Sequence, residues 1–330
     1  MSISLGFMQE LALSSSCDAW RRIVEFCLQV HKNPLPAKGA YAELSERERI
    51  VADVDLFLTA SGWDLWRNYA GSVERTSDAL QSWWHRNGSG RCVLVLDALS
   101  LRELPLLIQG AEANGFKVLS VKATGAEIPP DTTTFAGALG VASRSVFENG
   151  KVSGGFRLGE ARTEATRMPW GDCAALIRSE PDWFFWHHFP DWKLHELTEA
   201  GQGLRPFLDE VLLQLSGQDF WKFLARLGNG RKLVICSDHG YAVSGTFSDC
   251  HEEQSKYLKE LFKSARAVCA TGGAGPFLPP LDLTLDGQGG QVRLVLGQRK
   301  WKVQGGYPLL VHGGLSLHEV LCPFIELVKA

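Results

Sequence analysis

A chain of 330 residues, 45% hydrophobic and 10% aromatic, has material for a substantial core in one large domain or two. Its formal charge of −3 excludes a whole-protein field for nucleic acid or an anionic membrane, though a local basic groove stays open. No apolar run reaches the roughly 18 residues of a membrane span, and Met1-Ser-Ile-Ser-Leu-Gly-Phe7 lacks the features of a secretory signal. The expectation is a soluble, cytoplasmic protein with no membrane partner.

Residues 1–86 carry helical signals. Asp18 precedes the amphipathic run Ala19–Leu28, and Ser45-Glu-Arg-Glu48 leads into a second run over 50–58. Trp63, Trp66, Trp83 and Trp84 are expected to pack rather than to stack on bases. Asn87-Gly-Ser-Gly90 breaks the pattern and launches the buried-strand run 92–96, which ends in Asp97. The chain thus divides into an N-terminal helical region, 1–86, and a second domain, 87–330.

From there helix and strand alternate. The pattern predicts a helix over 101–113, a strand over 117–121 and a short helix through 135–139. A Gly-, Ser- and Arg-rich excursion over the sheet edge follows at 141–171, then a short helix near 172–178 and a strand over 183–187. A long helix over 204–227 leads to the strand Lys232–Cys236. Near the C-terminus, 281–285, 292–296 and 301–303 read as a β-hairpin or meander with glycine turns. The fold expected is α/β, a mostly parallel central sheet sandwiched by helices, with a helical N-terminal region and a small C-terminal meander.

In such sheets ligands lie beyond the carboxyl ends of the strands. Cys236 opens there onto Ser237-Asp238-His239-Gly240, and Asp97 ends a second run. After the strand at 183–187 comes Asp191-Trp-Lys-Leu-His195, whose four-residue spacing puts carboxylate and imidazole on one helical face. His312-Gly-Gly follows another apolar run, and Ser316-x-x-Glu319 is a capping box expected to start a helix. Singly, each is more often a capped strand end or a surface pair. Together, three aspartates and three histidines at the ends of four strand-like runs suit ligation of metal.

Mixed Asp/His ligation without thiolate suits zinc, with manganese next. Six ligands exceed one tetrahedral ion, so two divalent ions are expected, the arrangement that clamps a transferring phosphoryl group. Thr132, Thr133 and Thr134 precede an expected helix N-terminus and offer a nucleophile, with the register between Thr132 and Thr133 open. The eight cysteines are scattered without a Cys-x-x-Cys and read as reduced core residues. Thr271-Gly-Gly-Ala-Gly275 lacks the lysine of a phosphate-binding P-loop, and no Gly-x-Ser-x-Gly elbow exists. His31, His85, His187, His188, His251 and His318 are assigned to structure or surface, with His187 and His188 near enough to Asp191 to touch substrate.

Val95-Leu-Asp97-Ala-Leu, Pro129-Pro-Asp-Thr132-Thr, Asp191-x-x-x-His195, Ser237-Asp-His-Gly240 and His312-Gly-Gly, in that order, resemble the motifs of the alkaline phosphatase superfamily. Ile128-Pro-Pro-Asp-Thr132, and His312 through Glu319 running into Cys322-Pro-Phe, resemble more narrowly the PglZ domain of bacterial phage-defence systems of the BREX type. The resemblance spans about residues 91–325. It implies one ion on Asp191, His195 and His312, and a second on Asp97, Asp238 and His239 with the Thr132 oxygen. Thr132 would attack phosphorus to form a phosphothreonine, which water hydrolyses. The implied function is a zinc phosphodiesterase on nucleotide or oligonucleotide substrates, working with phage-defence proteins. Two alternatives stand beside it, a metal-stabilised scaffold in a defence complex and phosphomonoesterase or mutase-like chemistry.

Overall fold

Alternate residues of one apolar strand organise the molecule. In the computed structural model, which describes residues 4–330 except 151, 153, 197–203, 244, 245, 271, 272, 274, 304, 305 and 309, strand β1 (Arg91–Leu96) is buried on both faces. Leu94 and Leu96 join a core cluster that includes Trp20, Ile23, Leu58 and Tyr69 from the N-terminal helices, while Val93 and Val95 face a second cluster with Trp83, Phe135, Phe147 and Phe184. Such a two-sided apolar strand is what a central parallel strand requires.

Strands β2 (Phe116–Gly125), β3 (Arg162–Thr166), β4 (Trp183–His187) and β5 (Lys232–Cys236) bring the six-stranded sheet to five strands. β3, β4, β1 and β5 lie side by side and parallel. β3 arises inside the 141–171 excursion, which is therefore not only irregular. It holds the turn Arg144–Gly150 and the edge strand of the sheet.

The C-terminal region adds β6 (Ala242–Val243) paired with β10 (Leu310–Val311), and a three-stranded antiparallel sheet of β7 (Ala267–Cys269), β9 (Gly290–Val295) and β8 (Asp282–Gly287). The hairpin β8–β9 matches the expected meander. Its third strand is β7 rather than 301–303, where only a bridge from Val303 to Gly306 forms.

Two expectations are corrected. The long helix over 204–227 is two helices, Leu204–Ser216 and Gln218–Leu227, parted at Gly217, whose extended backbone caps the second. The capping box expected at Ser316 does not form: Ser316 is the N-cap of a single turn, Leu317–Val320, without a side-chain cap bond, and the chain then enters β11 (Leu321–Lys329), antiparallel to both β5 and β2 in the order β2-β11-β5-β1-β4-β3. Pro323 disguises this central strand. It is tolerated because pairing with β5 starts only at Phe324, so Pro323 is paired on the β2 side alone.

The four tryptophans 63, 66, 83 and 84 all pack against the core clusters. The eight cysteines are unpaired. Among the described residues no helix is long and apolar enough to cross a membrane. The segment Thr271–Gly275 falls largely outside the described residues.

Candidate metal centre and nucleophile

The carboxyl ends of β1, β4 and β5 come level because the three strands run parallel, with Val95 opposite both Trp186 and Cys236. Backbone bonds lock these ends together. The Asp97 amide donates to His187 O at 3.0 Å, the Asp191 amide donates to Asp97 O at 3.1 Å, and the Ala98 amide donates to Asp238 Oδ1 at 3.0 Å. Ala98 takes a positive φ of 59° to make this turn, a conformation non-glycine residues adopt mainly where surrounding contacts impose it.

The side chains then converge. Asp191 Oδ1 lies 3.4 Å from His195 Nε2 and 3.6 Å from His312 Nε2, and the two Nε2 atoms are 3.5 Å apart. A second group joins Asp97, Asp191 and His239, with His239 Nε2 at 3.7 Å from Asp97 Oδ1 and 3.5 Å from Asp238 Oδ2. Asp191 thus belongs to both groups. The His239 ring stacks on His312 with centroids 4.5 Å apart. His239 Nδ1 donates to Gly240 O at 3.0 Å, which turns Nε2 toward the carboxylates.

Asp131 decides which threonine faces this cluster. As N-cap of the helix Thr132–Ala138, its Oδ1 accepts from the Thr134 amide at 2.7 Å and the Thr134 hydroxyl at 2.9 Å. Thr133 is exposed. Thr132 Oγ1 alone is directed inward, donating to Asp97 Oδ1 at 3.2 Å and lying 3.4 Å from His239 Nε2.

The electrostatics follow from three buried carboxylates at close quarters. Burial, then the Asp238 and Asp191 charges, push the Asp97 carboxyl well above its usual range. Burial would lower His239, but Asp238, Asp97 and Asp191 outweigh it and raise the ring to about 9. Burial also works to raise Asp191, yet the adjacent His195, His239 and His312 hold it well below the usual carboxylate range. His312 falls to about 3, through burial and the neighbouring His239.

Asp191 Oδ1 and Asp238 Oδ2 are buried and meet no hydrogen-bond donor in bonding geometry. Buried carboxylate oxygens without donors are costly, and a divalent cation is the partner that six such oxygen and imidazole ligands suit. The residues therefore fit a metal centre.

Two contacts had no signal in sequence. Arg144, from the turn at 144–150, pairs with Asp97 Oδ2, and Trp186 Nε1 donates to the same oxygen at 3.1 Å. A third was half legible. Glu319, singled out in sequence as a capping-box residue, instead accepts from Ser316 Oγ at 2.6 Å and from the Gly314 amide at 2.8 Å, and forms a buried pair with Arg266 at 2.8 Å. This pair fixes the turn that carries His312, where Gly313 has φ 98° and a Cβ on Gly314 would meet Arg266 Nε at 2.7 Å. His187 is structural, donating from Nε2 to Met168 O at 2.9 Å and stacking on Trp170 at 3.8 Å.

No protein family model matches the chain, and no curated protein matches it. Among solved structures it is similar to murine ectonucleotide pyrophosphatase/phosphodiesterase 5, at 13% identity and a TM-score of 0.46, over 72% of this chain and 87% of that one. An inactive variant of the same murine protein in complex with AMP aligns at 13% identity and a TM-score of 0.43, over 72% and 88%. At these scores the likeness carries no argument about substrate or mechanism.

Proposed function

We propose that this chain is a metal-dependent phosphoester hydrolase of the alkaline phosphatase type, a phosphodiesterase on nucleotide or oligonucleotide esters with Thr132 as nucleophile. The observation that carries this reading is the convergence of three aspartates and three histidines around the inward-facing Thr132 hydroxyl, 3.2 Å from Asp97 Oδ1. Asp191, His195 and His312 would hold one divalent ion, and Asp97, Asp238 and His239 the other, with Asp191 near both. Bound there, two such ions, with zinc favoured over manganese, supply Lewis-acid stabilisation of the phosphoryl oxygens and favour ionisation of a nearby hydroxyl.

The chain's own residues do the rest. Thr132 Oγ1 forms a bond to phosphorus as the bond to the leaving oxygen breaks. Its proton is directed at Asp97 Oδ1, and the leaving oxygen takes a proton from solvent. The guanidinium of Arg144, at the same carboxylate, is placed to bind a non-bridging phosphoryl oxygen. Water then adds to phosphorus and displaces Thr132 Oγ1, releasing the phosphorylated product and restoring the hydroxyl.

The diester preference and a role in phage defence rest on the motif resemblance alone. The test is metal content by elemental analysis of the purified protein, beside hydrolysis of bis-p-nitrophenyl phosphate and p-nitrophenyl phosphate, with Asp238→Ala as control. About two ions per chain and diester turnover lost in the variant support the reading. Metal without turnover leaves the scaffold alternative, and no bound metal overturns the ligand grouping.

A further inference from the structure

A cavity of about 970 Å³ opens directly from the candidate centre. One wall is His195, His312 and Asp131, the residue that caps the Thr132 helix. The rest of the lining is mostly from the C-terminal region and includes Arg299, Tyr307, Leu310 and Val311. Anything covalently attached to a phosphorus at Thr132 therefore has this space beside it. The volume lies at the large end of small-molecule sites, far more than a simple phosphate monoester needs.

Arg299 gives the cavity its chemical character. Most of the other buried arginines among the described residues are met by a carboxylate or by several carbonyls, and Arg75 lies over the Tyr69 ring and donates to Ala126 O. Arg102 pairs with Glu48 at 2.9 Å and Arg266 with Glu319 at 2.8 Å, while Arg231 donates to the backbone oxygens of Arg178, Glu180, Pro181 and Leu227. Arg299 is half-buried, donates its Nε to Leu296 O at 3.0 Å and hydrogen-bonds the Cys250 thiol, and has no carboxylate ion pair among the described residues. Asp249, beside the bridge that joins Ser248 to Arg299, is paired with Lys300 at 3.6 Å. A guanidinium partly out of water without a counter-charge favours an anion brought by a ligand. Tyr307, 56% exposed at the same cavity and with Lys300 Nζ 5.9 Å from its ring centroid, has a second aromatic face for a flat group.

Resting on the phosphodiesterase reading, we infer that this cavity holds one substituent of the substrate, a nucleoside that carries a second phosphate. Arg299 binds that second phosphate and Tyr307 packs on the base. The substrate class narrows accordingly to esters joining phosphorylated nucleosides, such as oligonucleotide ends, in preference to simple aryl or alkyl esters.

The test is a binding titration on the metal-loaded protein, using thymidine 3′,5′-bisphosphate, thymidine 5′-monophosphate and inorganic phosphate. The bisphosphate is expected to bind about 10- to 100-fold more tightly than the monophosphate, the scale of one charge-assisted contact. Arg299→Gln should remove that difference, Arg299→Lys should restore part of it, and metal content should be equal in all three proteins. Tyr307→Ala should weaken both nucleotides relative to inorganic phosphate. Equal affinity for the two nucleotides, or a preference that survives Arg299→Gln, overturns the assignment. Because the titration needs no turnover, the two readings fail separately. An Arg299-dependent preference without ester cleavage defeats the hydrolase reading only, and cleavage without the preference defeats the cavity assignment only.

Discussion

Arg144 donates from its guanidinium to Oδ2 of Asp97, the carboxylate at the end of β1 whose other oxygen receives the Thr132 hydroxyl. A cation from an edge excursion and a metal ion would thus share one carboxylate. Arg144→Ala is expected to bind zinc about tenfold more tightly, since a charge-assisted contact to Asp97 of roughly 1.5–3 kcal/mol no longer competes. The same variant should bind vanadate more weakly once loaded. A chelator-competition titration reads the first effect, and weaker zinc binding in Arg144→Ala contradicts it.

Asp191 sits in both groups of candidate ligand atoms, whereas His195 sits in one. Asp191→Asn is therefore expected to lose both metal equivalents, and His195→Ala only one. Ligand binding to the native state raises the melting temperature, so chelation should lower it in the unaltered protein and leave Asp191→Asn unmoved. Elemental analysis and thermal melts with and without chelator check both points. Equal metal loss in the two variants would show that Asp191 does not serve both groups.

Thr132 is directed at Asp97 while Thr133 is exposed. On the proposed mechanism Thr132→Ala should reduce kcat at least about a thousandfold, as expected for loss of a nucleophile, with metal content unchanged. Thr133→Ala should stay within about twofold of the parent, because its side chain faces solvent. Steady-state kinetics on an aryl phosphodiester separate them, and the reverse pattern would move the nucleophile by one residue.

His31 and His318 form a buried pair, Nε2 to Nε2 at 3.0 Å, between the helix Ser16–Lys32 and the turn Leu317–Val320. Burial, with Arg102 nearby, pushes His31 down to about 3 and His318 well below its ordinary value. Both are neutral in the fold and protonate on unfolding, so stability is lost as pH falls from about 6.5 toward 3, by about 1.4 kcal/mol per pH unit for each ring. Asp55 and Glu103 have the opposite sign. Burial raises each to about 7, so they lose stability as pH rises from about 4 to 7. Urea denaturation between pH 4.5 and 7.5 should therefore show a shallower acid-side decline in His31→Leu/His318→Leu than in the parent. Parallel profiles would remove the pair from the titration.

Much of the site was legible because its residues sit where local pattern is strongest. Asp97, Asp191 and the Asp238-His239 pair each close a strand or follow it at once, and strands of continuous apolar character announce themselves. Arg144 was not legible, because it reaches Asp97 from a turn 47 residues away whose Gly- and Ser-rich surroundings have no periodicity. β11 was hidden for a different reason. Pro323 argues against a central strand, and only the early end of β5 makes it acceptable.

By itself the sequence determined the alternation of elements, the residue types of the candidate metal centre and their placement at strand ends, since each depends on neighbours a few residues apart. The tertiary structure decided what depends on distant segments meeting. It inserted β11 between β2 and β5, turned Thr132 rather than Thr133 inward through the Asp131 cap, and set Asp191 within reach of His239 as well as His195 and His312. It also left Arg299, beside the centre, without a carboxylate ion pair among the described residues. Those outcomes rest on which side chains share a few ångströms of space, and one-dimensional spacing does not encode that distance.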